Sequence, residues 1–181
     1  MSREDQIRFS NVVLPHLGDG YALARWITGN ATDAEDVVQE ACLRAFSAIN
    51  GYAGGKARAW VLAIVRNTAY TWLKKNRPAE ITAVDDLESI ENAGIASVGD
   101  AKGGCGATPE AVLIAKTDAA RLQEAIMALP AEFRETLVLR EVHGLDYREI
   151  ATVTGKPIGT VMSRLARARR RLLANIEKDA A

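Results

Sequence analysis

Residues 144–176, GLDYREIATVTGKPIGTVMSRLARARRRLLANI, decide the fold of the C-terminal part of this 181-residue chain. Asp146 can cap a first short helix, and Glu149 three residues later completes a capping box. Gly155 supplies a turn, and Pro157 suits the first turn of a second helix because its missing N–H is not needed there. Two helices joined by a glycine turn predict a helix-turn-helix.

The second of these helices combines an apolar stripe with a cationic face. At about 100° per residue, Val161, Leu165, Ala168 and Leu172 form the stripe. Every charged residue from 156 to 171 is basic, although the chain has 23 basic and 23 acidic residues in all. This indicates a polyanionic partner, and a helix of this kind enters the major groove of DNA. The candidate contact residues are Lys156, Thr160, Ser163, Arg164, Arg167, Arg170 and Arg171. The simpler alternative, arginines that only complement the helix dipole, does not explain the capped helix and turn before them.

A second motif, GNATDAEDVVQEACLRAFSAI at residues 29–49, predicts a helix capped by Thr32 or Asp33. The face of this helix that lies opposite its own apolar side carries Asp36, Gln39, Glu40 and Leu43. Acidic residues in a first turn complement the dipole, but Glu40 and Leu43 lie beyond that turn. The face therefore favours a protein-docking surface, and a solvated face is the alternative.

A third motif, KARAWVLAIVRNTAYTWLKKNR at residues 56–77, interleaves aromatic and basic residues after a glycine-rich loop. This composition suits single-stranded nucleic acid, because bases stack on aromatic rings and phosphates attract cations. The alternative is that Trp60 and Ile64 pack on a neighbouring helix. The candidate nucleic-acid contacts are Tyr52, Lys56, Trp60, Arg66, Asn67, Tyr70, Thr71 and Lys74.

Composition separates the chain into three parts. Helical periodicity covers residues 7–76, a Gly- and acid-rich stretch follows, and the helical pattern resumes at Pro109. We therefore expect an all-α protein with helical domains at 1–78 and 109–181, joined by a flexible acidic linker at 79–108.

Several classes of protein are not indicated by the sequence. The chain has no apolar run of membrane-spanning length and no signal-like N-terminus, so we expect a cytoplasmic protein. Cys42 and Cys105 form no metal-type pair, and His16 and His143 are isolated. Without a nucleophile constellation or phosphate loop, we expect no enzyme activity, catalytic residue, metal, cofactor or small-molecule substrate.

Taken in their order along the chain, with the acidic stretch before the last of them, the three motifs resemble the extracytoplasmic-function (ECF) group of bacterial RNA polymerase sigma factors, in the sigma-70 family. TDAEDVVQEACLRAF is similar to the core-binding helix of region 2, and AWVLAIVRNTAYTWLKK is similar to the segment that recognises and melts the minus-ten element. Residues 129–172 are similar to region 4, which reads the minus-thirty-five element. The resemblance implies a region 2 helical bundle and a region 4 helix-turn-helix.

The resemblance also implies partners for each surface. Asp36, Gln39, Glu40 and Leu43 would dock on the clamp helices of the largest polymerase subunit, and region 4 would touch the flap tip. The candidate nucleic-acid contacts between Tyr52 and Lys74 would hold minus-ten DNA with a flipped base, and the arginine-rich helix would bind minus-thirty-five DNA. A cognate anti-sigma factor and a stress- or signal-responsive role are further implications.

The chain departs from the usual ECF pattern at a few positions. Met162 stands where a basic residue is common, and Lys156 stands where an aliphatic residue is usual. The loop sequence YAGGKARAW lacks the usual acidic or Arg-containing pattern. These departures concern the promoter sequence rather than the class of protein.

Two other functions remain open from the sequence. A stand-alone transcription regulator would bind duplex operator DNA through the helix-turn-helix as a dimer. A sigma mimic that sequesters an anti-sigma factor would not need the arginines of the last helix.

Overall fold

The computed structural model describes residues 3–78 and 109–179, and these ranges are helical without a strand. The all-α prediction is confirmed. The predicted linker at 79–108, with Cys105, lies outside the described residues, and the exact domain boundaries stay a prediction. Within the described ranges, no helix is both long enough and apolar enough to cross a membrane. The helices are α1 Arg3–Val12, α2 Leu17–Thr28, α3 Ala31–Ala48, α4 Ala57–Asn76, α5 Pro109–Met127, α6 Ala131–Glu141, α7 Tyr147–Thr154 and α8 Ile158–Asp179.

Helices α2, α3 and α4 pack against one another and form the centre of the N-terminal group of helices. Aliphatic residues of these helices, such as Leu23, Leu62 and Leu73, are fully buried. Each buried side chain of this size stabilises the fold by roughly 1.5–3 kcal/mol. This packing fixes the directions in which the remaining faces of α3 and α4 point.

The predicted caps of α3 are wrong, because Asn30 caps it instead of Thr32 or Asp33. The Asn30 backbone is extended, and its side-chain oxygen accepts a hydrogen bond from the Asp33 N–H at 2.8 Å. Gly29 ends α2 in the left-handed conformation at φ 84°, which sets the chain direction one residue before the cap. Asp33 is therefore an inner residue of the first turn and pairs with Arg77 at 3.0 Å.

The predicted helix-turn-helix is confirmed as α7 and α8. The Asp146 N–H donates to Glu149 Oε2 at 2.9 Å, and the Glu149 N–H donates to Asp146 Oδ1 at 2.8 Å. This capping box contributes about 1 kcal/mol to the short helix α7. Gly155 has a φ of 66°, so the turn uses the conformation that glycine adopts most readily.

The two groups of helices pack against each other. Helix α4 contacts α7, and α2 contacts α6. The buried side chain of Arg134, on α6, donates to the Trp26 carbonyl of α2 at 3.0 Å. Buried apolar residues from both groups form one continuous cluster. The two groups of helices therefore form a closed arrangement, which the sequence alone leaves open.

Candidate polymerase and nucleic-acid surfaces

The acidic face of α3, defined by Asp36, Gln39, Glu40 and Leu43, is exposed along its whole length. The side chain of Leu43 is 66% exposed, which is unusual for a leucine beside a well-packed core. It lines an open depression of about 420 Å³ together with Glu40 and Arg44. The arrangement suits a partner that offers an apolar side chain beside basic ones.

The glycine-rich loop before α4 places two aromatic rings against each other. The ring centroids of Tyr52 and Trp60 lie 4.9 Å apart at an interplanar angle of 41°. The Tyr52 hydroxyl donates to the Gly55 carbonyl at 2.8 Å, which fixes the loop. Trp60 and Ile64 are half-buried against the core, so the simpler packing interpretation is correct in part.

An open cavity of about 750 Å³ lies beside this pair of rings. One wall consists of the loop, Lys56 and Trp60, and the opposite wall is α7, with Arg148, Glu149 and Thr152. The structure thus brings Tyr52, Lys56 and Trp60 together at one cavity. Aromatic faces next to a cation are suited to holding an unstacked base and its phosphate.

The side chain of Lys56 is engaged by the helix-turn-helix. Its Nζ lies 2.9 Å from Glu149 Oε1 and 3.8 Å from Asp146 Oδ2. The hydrogen bond to Glu149 raises the pKa of Lys56. The two acids that cap α7 therefore also hold the loop of the other helical group.

Arg66 and Tyr70 are covered by α6. The Arg66 guanidinium makes two hydrogen bonds to Glu135, Nε to Oε2 at 3.0 Å and Nη2 to Oε1 at 3.1 Å. It also lies over the Tyr70 ring, 4.3 Å from the centroid. Glu135 is fully buried and Tyr70 is buried, and this burial raises the pKa of both groups. Contact of Arg66 or Tyr70 with DNA therefore requires α6 to move away.

Other predicted residues of α4 stay accessible. Asn67, Thr71 and Lys74 are exposed at spacings of four and three residues, so they share one face. They offer an amide, a hydroxyl and an ammonium group, all of which bind phosphate or base edges. The closed arrangement thus hides part of the predicted surface and leaves part of it open.

A third contact between the helical groups involves Arg58 of α4. Its Nε lies 2.6 Å from Asp19 Oδ2, and its Nη1 donates to the His143 carbonyl at 2.8 Å. The imidazole of His143 is buried, with Nδ1 3.9 Å from Asp19 Oδ1. Burial lowers the pKa of His143, and the hydrogen bond from Arg58 lowers the pKa of Asp19. Sequence reasoning missed this cluster because its members are far apart in the chain.

The position of Arg164 corrects the interpretation of the last helix. Its side chain is buried and forms an ion pair with Glu132 of α6, within the same helical group. At 100° per residue, position 164 lies about 60° from Val161 and 40° from Ala168, so it belongs to the buried stripe. Arg164 thus holds α8 against α6 and does not face outward as expected.

The remaining candidates on α8 and before it differ in exposure. Lys156, Ser163 and Arg170 are exposed, and Thr160, Arg167 and Arg171 are half-buried. The Arg171 guanidinium lies 5.0 Å from the centroid of the Phe133 ring.

Two apolar residues that sequence reasoning did not assign also lie on the surface of α8. Ile158 and Met162 are 42% and 49% exposed. The signal that could have found them is their four-residue spacing outside the apolar stripe.

In the part of the chain that the structure describes, no group of His, Cys, Asp and Glu could hold a metal ion.

Comparison with known proteins places this chain in a family. Residues 12–79 match the family model of Sigma-70 region 2, and residues 119–172 match Sigma-70, region 4. The RNA polymerase sigma-H factor of Pseudomonas aeruginosa is 34% identical over 174 residues, covering 93% of this chain and 86% of that protein. The ECF RNA polymerase sigma-E factor of Escherichia coli K12 is 35% identical over 140 residues, covering 76% and 70%.

Solved structures show the same likeness. The sigma factor RpoE in complex with the anti-sigma factor NepR, from Bartonella quintana, has a TM-score of 0.66 at 28% identity, covering 93% of this chain and 96% of that one. CnrH in complex with the cytosolic domain of CnrY has a TM-score of 0.58 at 24% identity, covering 94% and 88%, and this is a likeness of fold.

Proposed function

This chain belongs to the ECF group of RNA polymerase sigma factors, and on that basis we propose that it binds RNA polymerase core and directs it to promoters. Region 2 would comprise α1–α4 and region 4 would comprise α5–α8, around the matched residues 12–79 and 119–172. Region 2 would bind the polymerase and the minus-ten element, and region 4 would read the minus-thirty-five element. The observation that carries the proposal is one chain with an exposed acidic docking face, an aromatic cavity and a helix-turn-helix.

The acidic face of α3 would dock on the clamp helices of the largest polymerase subunit. Leu43 would supply the apolar anchor, since a side chain exposed to this degree gains most from being covered. Asp36 and Glu40 would meet basic groups at the rim and steer the encounter. Region 4 would make a second contact, with the flap tip.

The loop and α4 would stabilise the separated strand of the minus-ten element. Tyr52 and Trp60 would stack on bases, and Asn67, Thr71 and Lys74 would follow the backbone. Unstacking a base costs a few kcal/mol, and stacking on a protein aromatic returns about 1–3 kcal/mol. The balance is near zero, so melting would depend on the polymerase, and the chain would carry out no bond chemistry.

The closed arrangement would be a resting form. Lys56, Arg66 and Tyr70 are proposed DNA contacts, and each is covered or engaged by region 4. Binding to polymerase and promoter would separate the regions and exchange carboxylate partners for phosphates. An anti-sigma factor that favours the closed form would keep the chain inactive, and the similar sigma factor RpoE was solved with the anti-sigma factor NepR bound.

Run-off transcription with core polymerase tests the proposal. We expect promoter-specific transcripts from the wild type and their loss with Leu43→Asp, which places a charge where the docking face meets the polymerase. Ile7→Asp is the matched control, because Ile7 is 55% exposed on α1 and outside the proposed interface. Folded protein that yields no specific transcript from any genomic promoter would refute the function.

The same assay separates the sigma factor from a stand-alone regulator. A regulator needs only the helix-turn-helix and would bind its operator tightly without polymerase. The match of residues 12–79 to region 2 supports the sigma factor, since that region has no role in such a regulator.

A further inference from the structure

The outward face of the recognition helix α8 is more apolar than its composition suggests. Ile158 and Met162 lie in its first two turns, and both are largely exposed. Arg164, two residues after Met162, is buried against Glu132. The N-terminal half of α8 therefore presents aliphatic groups where the sequence predicts contact of Arg164 with DNA.

These exposed side chains have no role in the core of region 4. Val161 and Leu165 already bury the inner face of α8. The neighbouring Ser163 hydroxyl donates to the Thr160 carbonyl at 3.0 Å, so it is directed back to its own helix. Met162 is thus the longest exposed side chain at this point of the helix.

The charge around the patch indicates nucleic acid as its occupant. Lys156 before the helix and Arg170 three turns along it are exposed and basic. A phosphate backbone on either side of the helix complements these charges. Of the groups at base edges in the major groove, the C5-methyl of thymine is the apolar one. A flexible thioether side chain adapts well to such a small apolar surface.

We propose that Met162, supported by Ile158, is a specificity-determining residue that selects thymine in the minus-thirty-five element by contact with its C5-methyl group. The inference rests on the proposed function, in which α8 enters the major groove. Arginine and lysine select guanine, so a basic residue at this position would give a different preference.

The experiment removes one methyl group at a time. The full chain with core polymerase is first used to select bound sequences from promoters randomised in the minus-thirty-five element. Each thymine of the selected element is then replaced by deoxyuridine, which differs only in lacking the methyl group. We expect about fourfold weaker binding at one or two positions, which corresponds to about 0.8 kcal/mol for one buried methyl group.

Two variants assign the effect to the side chain. Met162→Ala should bind thymine and deoxyuridine equally, and Met162→Arg should shift the selected base toward guanine. Leu173→Ala is the matched control, because Leu173 is 53% exposed farther along α8, and it should keep the thymine preference.

Three outcomes would overturn the inference. Wild-type holoenzyme could bind thymine and deoxyuridine equally at every position, or Met162→Ala could keep the preference. Met162→Ala could also weaken association with core polymerase in the absence of DNA, which would assign the patch to a protein partner. Failure to select any promoter would refute the proposed function itself, and this inference with it.

Discussion

Glu135→Gln tests whether the closed arrangement controls access to region 2. The Glu135 side chain is 0% exposed and that of Arg66 is 13% exposed, so the pair is largely shielded from water. The amide of glutamine keeps the size of the side chain and removes its charge. In the closed form Arg66 would then remain largely buried without its hydrogen-bonded counter-charge, and only the more distant Glu132 would oppose its charge, whereas in the open form water would solvate it.

The size of the effect follows from this difference in burial. Removing one partner of a buried ion pair costs about 3–5 kcal/mol in the state where the other partner stays buried. At about 1.4 kcal/mol per tenfold change, the ratio of open to closed protein should rise between about 100-fold and several thousand-fold. The contacts of Lys56 and Arg58 with region 4 remain in the variant, so the closed form stays populated.

The assay is the affinity of the free full-length chain for a single-stranded minus-ten oligonucleotide. If only the open form binds, the apparent affinity scales with the open fraction even when that fraction is small. Glu135→Gln should therefore bind at least tenfold more tightly than the wild type. Glu141→Gln is the control, because the Glu141–Arg169 pair at 2.6 Å is exposed and lies within region 4, where it contributes under about 1 kcal/mol. Equal affinities for the folded wild type and Glu135→Gln would refute the reasoning.

Two further predictions concern His143 and Arg164. Burial lowers the pKa of His143 below 6.5, and Asp19 and Arg58 are the charged groups that face it, so the open form takes up a proton at a pH where the closed form does not. The contribution of neutral His143 to the closed form is therefore complete above pH 6.5 and is lost as the pH falls toward the lowered pKa. Oligonucleotide affinity should accordingly rise between pH 7.5 and 5.5. His143→Gln should remove the part of this rise that comes from His143. Arg164→Met leaves the carboxylate of Glu132 without this buried partner and should lower the free energy of unfolding, measured in urea, by about 2–3 kcal/mol. This is less than for a fully buried pair because Glu132 is partly exposed. An unchanged midpoint of unfolding would place Arg164 on the surface after all.

Local signals predicted the fold well. The capping box of Asp146 and Glu149 and the turn at Gly155 depend on residues within twelve positions of each other, so the sequence contains all that determines them. The start of α3 was harder, because Asn30, Thr32 and Asp33 can all cap a helix. The left-handed conformation of Gly29 decides between them, and it depends on how α2 ends.

Contacts between regions could not be predicted in this way. Arg66 and Glu135 are 69 positions apart, and periodicity only shows that each lies on a helix. An arginine in an aromatic stretch suits nucleic acid and a buried carboxylate equally well. Arg164 differs from the prediction for another reason: its projected angle lies within the buried stripe, whereas its charge favours an exposed position. A buried partner such as Glu132 satisfies that charge, and only the tertiary structure reveals it.

The closed form and the proposed promoter complex use the same cations. Lys56 and Arg66 face carboxylates of region 4 in the closed form, and they would face phosphates once the regions separate. A carboxylate presents two oxygens to guanidinium in the same forked geometry as a phosphate does. Opening therefore exchanges one anionic partner for another and leaves no cation buried alone, so the free energy difference between the two forms can stay small although each ion pair is strong. In this proposal region 4 occupies the electrostatic site that the DNA strand would take, and the strand and region 4 would compete for region 2.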